Sequence, residues 1–232
     1  MGRGRAGLTW DGNPRVKPPF GAARINRNAR HADQLAACVL FNEQGGAPYD
    51  LLTGTRLTFT SASWGVNARG LMTVYNGSSG WAALPVNLSG TDKCTLIIDA
   101  TWDAFANNDD LMAEYTPNQN TNAGSLIVDA NGSTGFFALR VSQGDAATYN
   151  GGNFTRPTAA VPHTYMFTFN RDTGTALGTF AWVDGIAQSM TQAEAGNVTG
   201  NFANNTLYLM CRGGTALFGA GKLGRLLVYS GV

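Results

Sequence analysis

The sequence predicts an all-β protein: two packed antiparallel sheets preceded by an extended N-terminal arm. Three observations predict it. From about Arg56 onward, apolar residues recur at every second position, the period of a half-buried strand. Turn formers interrupt that rhythm, among them Asn131-Gly132 and Asp184-Gly185, dipeptides suited to tight hairpins. Only 13% of the residues are charged while Gly, Asn, Thr and Ser abound, which favours many strands and turns over helices.

The arm comes first. Residues 1–30 hold Arg3, Arg5, Arg15, Lys17, Arg24, Arg27 and Arg30 against Asp11 alone, a net +6. The remainder carries nine basic and fourteen acidic residues, a net −5. A basic arm therefore precedes a mildly acidic body. "NPRVKPPFGAARINRNAR" contains Pro14, Pro18 and Pro19, has little periodicity and cannot pack a core of its own. Two readings stand for it: a solvated tail, or a strap laid on a partner. Trp10, Val16, Phe20 and Ile25 favour docking, since a purely solvated tail has no use for them. The arginines are dispersed and lysine is nearly absent, so a protein surface is the expected partner rather than nucleic acid. "MGRGRAGLTWDG" has no apolar run of signal-peptide type and lacks the Ser or Thr of a myristoylation signal. No stretch has the apolar length of a membrane span.

The body follows in order. "HADQLAACVLFN" reads as a short helix or a strand. "RLTFT" alternates at Leu57 and Phe59. "CTLIIDATW" carries Leu96, Ile98 and Trp102. "TWDAFANNDDLMAEY" and "SMTQAEAGN" each have room for a turn of helix. "GSLIVDANGSTGFFALRVS" is a hairpin with Leu126, Val128, Phe137, Leu139 and Val141 facing alike. "HTYMFTFNRDTGTALGTFAWVDG" repeats that plan: Tyr165, Phe167 and Phe169 share a face, and Phe180 and Trp182 return. "NTLYLMCRGG" and "GKLGRLLVYSG" supply the closing strands. The count is about ten to twelve strands, enough for two packed layers. No linker or repeat appears after Asp50, so residues 1–32 are the arm and 33–232 one domain. Cys38, Cys94 and Cys211 are odd in number, distant in sequence and set among apolar residues. They read as buried free thiols, in keeping with a reducing cytoplasm.

"VPHTYMFTFNRDTGTALGTFAWVDGIAQ" resembles the central signature of concanavalin A-like domains of the laminin-G and pentraxin type. "NNTLYLMCRGGTALFGAGKLGRLLVYSG" resembles their closing strands, and "ACVLFNEQGGAPYDLLTG" their opening. The resemblance covers roughly residues 33–232 and implies a two-sheet antiparallel jelly roll. "GNPRVKPPFGAARINRNARHADQLAACVLFNEQGG" is similar to leaders of jelly-roll proteins among tailed-phage structural components. That likeness implies a non-enzymatic virion protein, a capsid decoration or head fibre, assembled in the host cytoplasm. Its arm would hold a capsid or other virion protein, and homo-oligomers are common among such proteins. Arg and Asn stand here where those leaders carry Trp and Gly.

The chemistry turns on a few side chains. Asp184 in Val-Asp-Gly reads as a bend, because Asp tolerates positive φ and Gly185 favours it. Laminarinase-like members of the resembled fold carry Glu-x-Asp-x-Glu on one strand. Alternation then puts the carboxylates on one face for glycoside hydrolysis. This chain has no such motif; its glutamates are Glu43, Glu114 and Glu194. Glu114 lies four residues after Asp110, which is the wrong spacing, so these read as solvated loop acids and hydrolysis is disfavoured. "AFANNDDLMAEY" offers oxygen donors for a hard cation, with Asp109 and Asp110 the candidate calcium ligands. Asx-rich turns also occur without metal. His31 and His163 are too few and too far apart for zinc, and neither supports a Ser-His-Asp order. "GAGKLG" follows no strand that opens a helix; Gly219, Gly221 and Gly224 read as a tight turn or bulge.

Sugar binding is the alternative function. "TYNGGNFTRP" and "VYNGSSGWAA" supply Trp81, Tyr149, Asn150 and Asn153, an aromatic and amide set of lectin type. A loop anchor or edge contact also explains Tyr149 and Trp81, and is the favoured reading of the two rings.

Overall fold

The computed structural model describes residues 8–9, 24–25, 30–42, 45–67, 70–103, 110–130, 135–143 and 148–232. In chain order the strands are β1 (Leu8–Thr9), β2 (Arg24–Ile25), β3 (Leu35–Leu40), β4 (Thr58–Thr60), β5 (Ser63–Asn67) and β6 (Gly70–Asn76). There follow β7 (Trp81–Asn87), β8 (Lys93–Trp102), β9 (Asp110–Glu114), β10 (Ser125–Ala130), β11 (Phe136–Ser142) and β12 (Tyr149–Thr155). The last are β13 (Pro162–Asn170), β14 (Thr179–Val183), β15 (Ile186–Ala187), β16 (Thr191–Ala195), β17 (Asn204–Leu209) and β18 (Ala220–Ser230). One 3-10 turn spans Ala32–Gln34, and no α-helix occurs among the described residues.

β1 and β2 pair with each other. The other strands form two antiparallel sheets packed as a sandwich. The first runs β16-β12-β11-β10-β9-β17-β7-β4. The second runs β15-β14-β13-β8-β18-β6-β5, with β3 also pairing β18. Alternation decides which side chains meet between the layers. Leu126, Val128, Phe137, Leu139 and Val141 from the first sheet are buried there, as are Tyr165, Phe167, Phe169, Leu96, Ile98 and Trp102 from the second. Phe137 anchors the seam. It stacks on Phe154 at 5.4 Å and meets Tyr165 of the opposite sheet at 5.6 Å. Such ring pairs add to the area they bury. The returning Phe180 and Trp182 point away from this core; their neighbours Ala181 and Val183 fill it.

Three stretches with helical potential take strand geometry where they are described, residues 104–109 of the first lying outside the described residues. Asp110–Glu114 is β9, hydrogen-bonded between β10 and β17. Thr191–Ala195 is β16, an edge strand on β12. The third makes one 3-10 turn and then β3, which adds to β18. In each, an available ladder outweighs local propensity. Gly224 sits where β18 slips register between Leu223 and Arg225, the bulge its glycines suggested.

Asp184 and Gly185, at φ 50 and 82, form the two-residue turn between β14 and β15. Asp184 is thus a bend, and it is also a staple. Its carboxylate accepts the Thr164 N–H at 2.9 Å and pairs with His163 Nδ1 at 2.7 Å. Cys38, Cys94 and Cys211 are buried free thiols. Burial pushes the Cys94 thiol up and holds Cys211 near 12, so neither offers a thiolate. Among the described residues no helix is long and apolar enough to cross a membrane.

Candidate functional site

The outer side of the first sheet concentrates polar and aromatic groups. Tyr208 lies between Leu207 and Leu209, and Glu114 between Ala113 and Tyr115. With those neighbours turned inward, Tyr208 and Glu114 project outward. Register extends the series across every strand of that sheet. Thr58, Ala83, Tyr208, Glu114, Ile127, Arg140, Gly151 and Glu194 are successive partners.

The middle of this row is closed. Glu114 and Ile127 are 0% exposed. Glu114 is therefore no solvated loop acid: the β9 ladder carries it into a buried outward position. Arg212 Nε approaches its two carboxylate oxygens at 3.3 and 3.1 Å, and the Gln119 N–H donates to Oε1 at 2.8 Å. Desolvation outweighs these donors and pushes Glu114 up to about 7.

One end of the row is half open and aromatic. The Trp81 and Tyr208 rings lie 6.1 Å apart at 43°. Gly214, at φ +76, packs on the indole; a Cβ there would sit 2.8 Å from Trp81 Cζ2. The glycine lets that turn lie flat against the ring. Arg212 leads into the same turn and is 19% exposed at its side chain. An aromatic face thus stands beside a charged hydrogen-bonding pair.

The other end is charged. Arg140 Nη1 meets Asp129 at 3.2 Å, and Arg140 Nε meets Glu194 at 3.1 Å. Gly151 lets β12 lie close against β11 beside Arg140, because a Cβ there would sit 2.1 Å from the Leu139 carbonyl oxygen.

The structure separates the four expected glycan-binding residues. Trp81 and Tyr149 share the outer side, but β17, β9, β10 and β11 lie between their strands. At about 4.8 Å per strand that is roughly 24 Å. Tyr149 donates to Asn120 Oδ1 at 2.7 Å. Asn150 is turned inward, with 0% exposure. Its amide donates to the carbonyls of Gly174 and Ala176 at 3.0 and 2.9 Å, so it braces loops and cannot face a ligand. Asn153 stays outward and half-buried on β12. Tyr208, Arg212 and Glu114 were not among the expected residues. The signal for Tyr208 and Glu114 was present in "LYL" and "AEY", a polar side chain flanked by two core residues; Arg212 had no such context.

Asp110 opens β9 and is buried, while Asp109 lies outside the described residues. No group of three His, Cys, Asp or Glu suited to a metal occurs among the described residues. Of the arm, Arg30 is exposed, and Arg24 and Ile25 form β2. Arg3, Arg5, Trp10, Arg15, Lys17, Phe20 and Arg27 lie outside the described residues.

No protein-family model matches the chain, and no curated protein matches it in sequence. Solved structures share its fold. Domain 4 of AbnA, a GH43 extracellular arabinanase from Geobacillus stearothermophilus solved with arabinotriose, is similar with a TM-score of 0.62 at 14% identity. That likeness covers 85% of this chain and 93% of the other. The botulinum neurotoxin serotype C1 binding domain has a TM-score of 0.62 at 9% identity, over 85% of this chain and 48% of that one. A botulinum neurotoxin type C structure, described with cell entry dependent on two ganglioside molecules, gives 0.58 at 8% identity. It covers 85% of this chain and 48% of that one. The chain spans about half the length of the neurotoxin binding domains.

Proposed function

We propose that this protein is a carbohydrate-binding module that holds a glycan without turning it over. One observation carries the reading: the Trp81–Tyr208 ring pair stands half-open beside the Arg212–Glu114 ion pair. Sugars present C–H faces that stack on aromatic rings and hydroxyls that accept from charged donors such as the half-buried Arg212 guanidinium. Two solved neighbours point the same way, one bound to arabinotriose and one described with gangliosides. Binding without hydrolysis fits the state of Glu114, whose two oxygens are already taken by Arg212 and the Gln119 N–H.

A glycan array followed by calorimetry tests this. Saturable binding is expected, weakened at least about tenfold by Trp81→Ala and by Tyr208→Ala, with unfolding temperatures close to wild type. Tyr149→Ala is expected to leave it unchanged. A blank array, or release of reducing ends from the bound glycan, defeats the reading.

A second reading rests on charge. The arm is +6 and the remainder −5. That asymmetry suits a module tethered by its arm to a larger assembly, such as a capsid or other virion surface, with the sandwich displayed outward. Removing residues 1–30 should then abolish attachment while the sandwich still folds; unchanged occupancy refutes it.

A further inference from the structure

At the β4 margin of the first sheet, the chain builds an open pocket of about 390 Å³ lined by Tyr49, Thr53, Gly54 and Arg56. We propose that this pocket receives the carboxylate of an acidic sugar, with the Arg56 guanidinium as its receptor. The inference rests on the glycan-binding reading and names the ligand class.

The Arg56 side chain is placed before any ligand arrives. Its Nη1 donates to the Ala47 carbonyl at 2.9 Å, and its guanidinium lies over the Tyr49 ring at 5.9 Å. A cation held on a ring face loses less freedom on binding than a solvated one. Among the described residues no carboxylate pairs with Arg56, unlike Arg140, Arg212 and Arg225. Its planar fork matches the two oxygens of a carboxylate.

The pocket floor is tied together by hydrogen bonds to one buried carboxylate. Asp50 is 2% exposed, and its carboxylate accepts the backbone N–H groups of Cys38, Leu52 and Thr53 together with the Thr53 hydroxyl. Its charge is spent on those donors beneath the pocket rather than on Arg56. Gly54, at φ 74, closes the turn by donating to the Asp50 carbonyl at 2.9 Å.

Position links this pocket to the ring pair. Leu57 is in the core and Phe59 packs against it, so Arg56, Thr58 and Thr60 share the outer side. Thr60 is the register partner of Trp81. Arg56 is therefore four residues along and one strand across from Trp81, roughly 13 Å along the sheet. A short oligosaccharide stacked on Trp81 has its acidic residue within reach of Arg56.

Calorimetry with three oligosaccharides of equal length tests the assignment: a uronate, its carboxyl-reduced neutral counterpart, and a sialylated chain. Wild type should bind at least one acidic chain about tenfold tighter than the neutral one, with a preference that shrinks as salt rises. The acidic arm that wins tells uronate from sialic acid. Arg56→Gln should abolish the preference, so that acidic and neutral chains bind alike; Arg56→Lys should keep only part of it. Equal affinities in wild type, or a preference that survives Arg56→Gln, overturns the carboxylate site while the glycan-binding reading stands. If none of the three sugars and no array glycan binds, both fall.

Discussion

The Arg212 guanidinium and the Glu114 carboxylate form an ion pair at 3.1 Å in which the acid is wholly closed to solvent and the base is 19% exposed. The pair joins β9 to the turn that follows β17, beside the ring pair proposed to hold sugar.

Burial raises Glu114 to about 7 in the fold, whereas an unfolded glutamate titrates near 4.5. Between those values the folded chain holds a proton that the unfolded chain has released. Stability must then fall as pH rises from about 4.5 to about 7, and level off beyond. Urea unfolding of wild type across pH 4.5–8 should show this decline. Glu114→Gln should flatten it over the same window, because an amide does not titrate. A wild-type profile already flat between pH 5 and 7 contradicts the assignment.

Arg171 is a cation with a different arrangement. It is 2% exposed and meets backbone carbonyls rather than a carboxylate: Gly200, Asn201 and Ser142. Its guanidinium also lies 5.6 Å over the Phe202 ring. Burial lowers its pKa, yet its donors tie the loop between β16 and β17 to the end of β11, which no ladder joins. Arg171→Met keeps most of the volume and leaves those carbonyls without a donor. The expected loss is about 3 kcal/mol in chemical denaturation. A loss below about 1 kcal/mol means the carbonyls find other donors.

The fold was legible because alternation is a local signal. Val128, Leu139 and Phe167 each sit two positions from another core residue, so period two marks them with no knowledge of their partners. Glu114 shows where this stops. Its sequence context does not reveal that Arg212, ninety-eight residues later, lies beside it. Only pairing of β9 with β17 does that. Asn150 fails for a related reason: its amide is claimed by Gly174 and Ala176, carbonyls that arrive from a distant loop. Thr191–Ala195 and Asp110–Glu114 take strand rather than helical geometry because they meet a free sheet edge or slot, which propensity does not see.

Gly214 gives a test of how far binding depends on the Trp81 ring. A Cβ at 214 would sit 2.8 Å from Cζ2 and 2.9 Å from Cε2 of the indole, on a backbone at φ +76. Gly214→Ala must tilt the ring or move the turn. The backbone term alone costs about 1 kcal/mol. Unfolding should register that modest loss, while glycan affinity falls about tenfold. Affinity unchanged with a shifted Trp81 fluorescence spectrum places the sugar elsewhere.

Asp184 allows its two roles to be separated. As a bend it must tolerate φ 50, and as a staple it must accept the Thr164 N–H. Asn meets both demands and loses only the charge facing His163. Ala meets neither. Asp184→Asn should therefore cost well under 1 kcal/mol, and Asp184→Ala about 1–2 kcal/mol. Asp184→Gly relieves the backbone but supplies no acceptor, so it belongs between them. Equal losses for Ala and Gly would assign the whole effect to the missing hydrogen bonds and none to the turn conformation. Equal stability for Gly and Asn would do the reverse. The β14–β15 hairpin sits at the edge of its sheet, so amide exchange at Ile186 and Ala187 should report the change before global unfolding does.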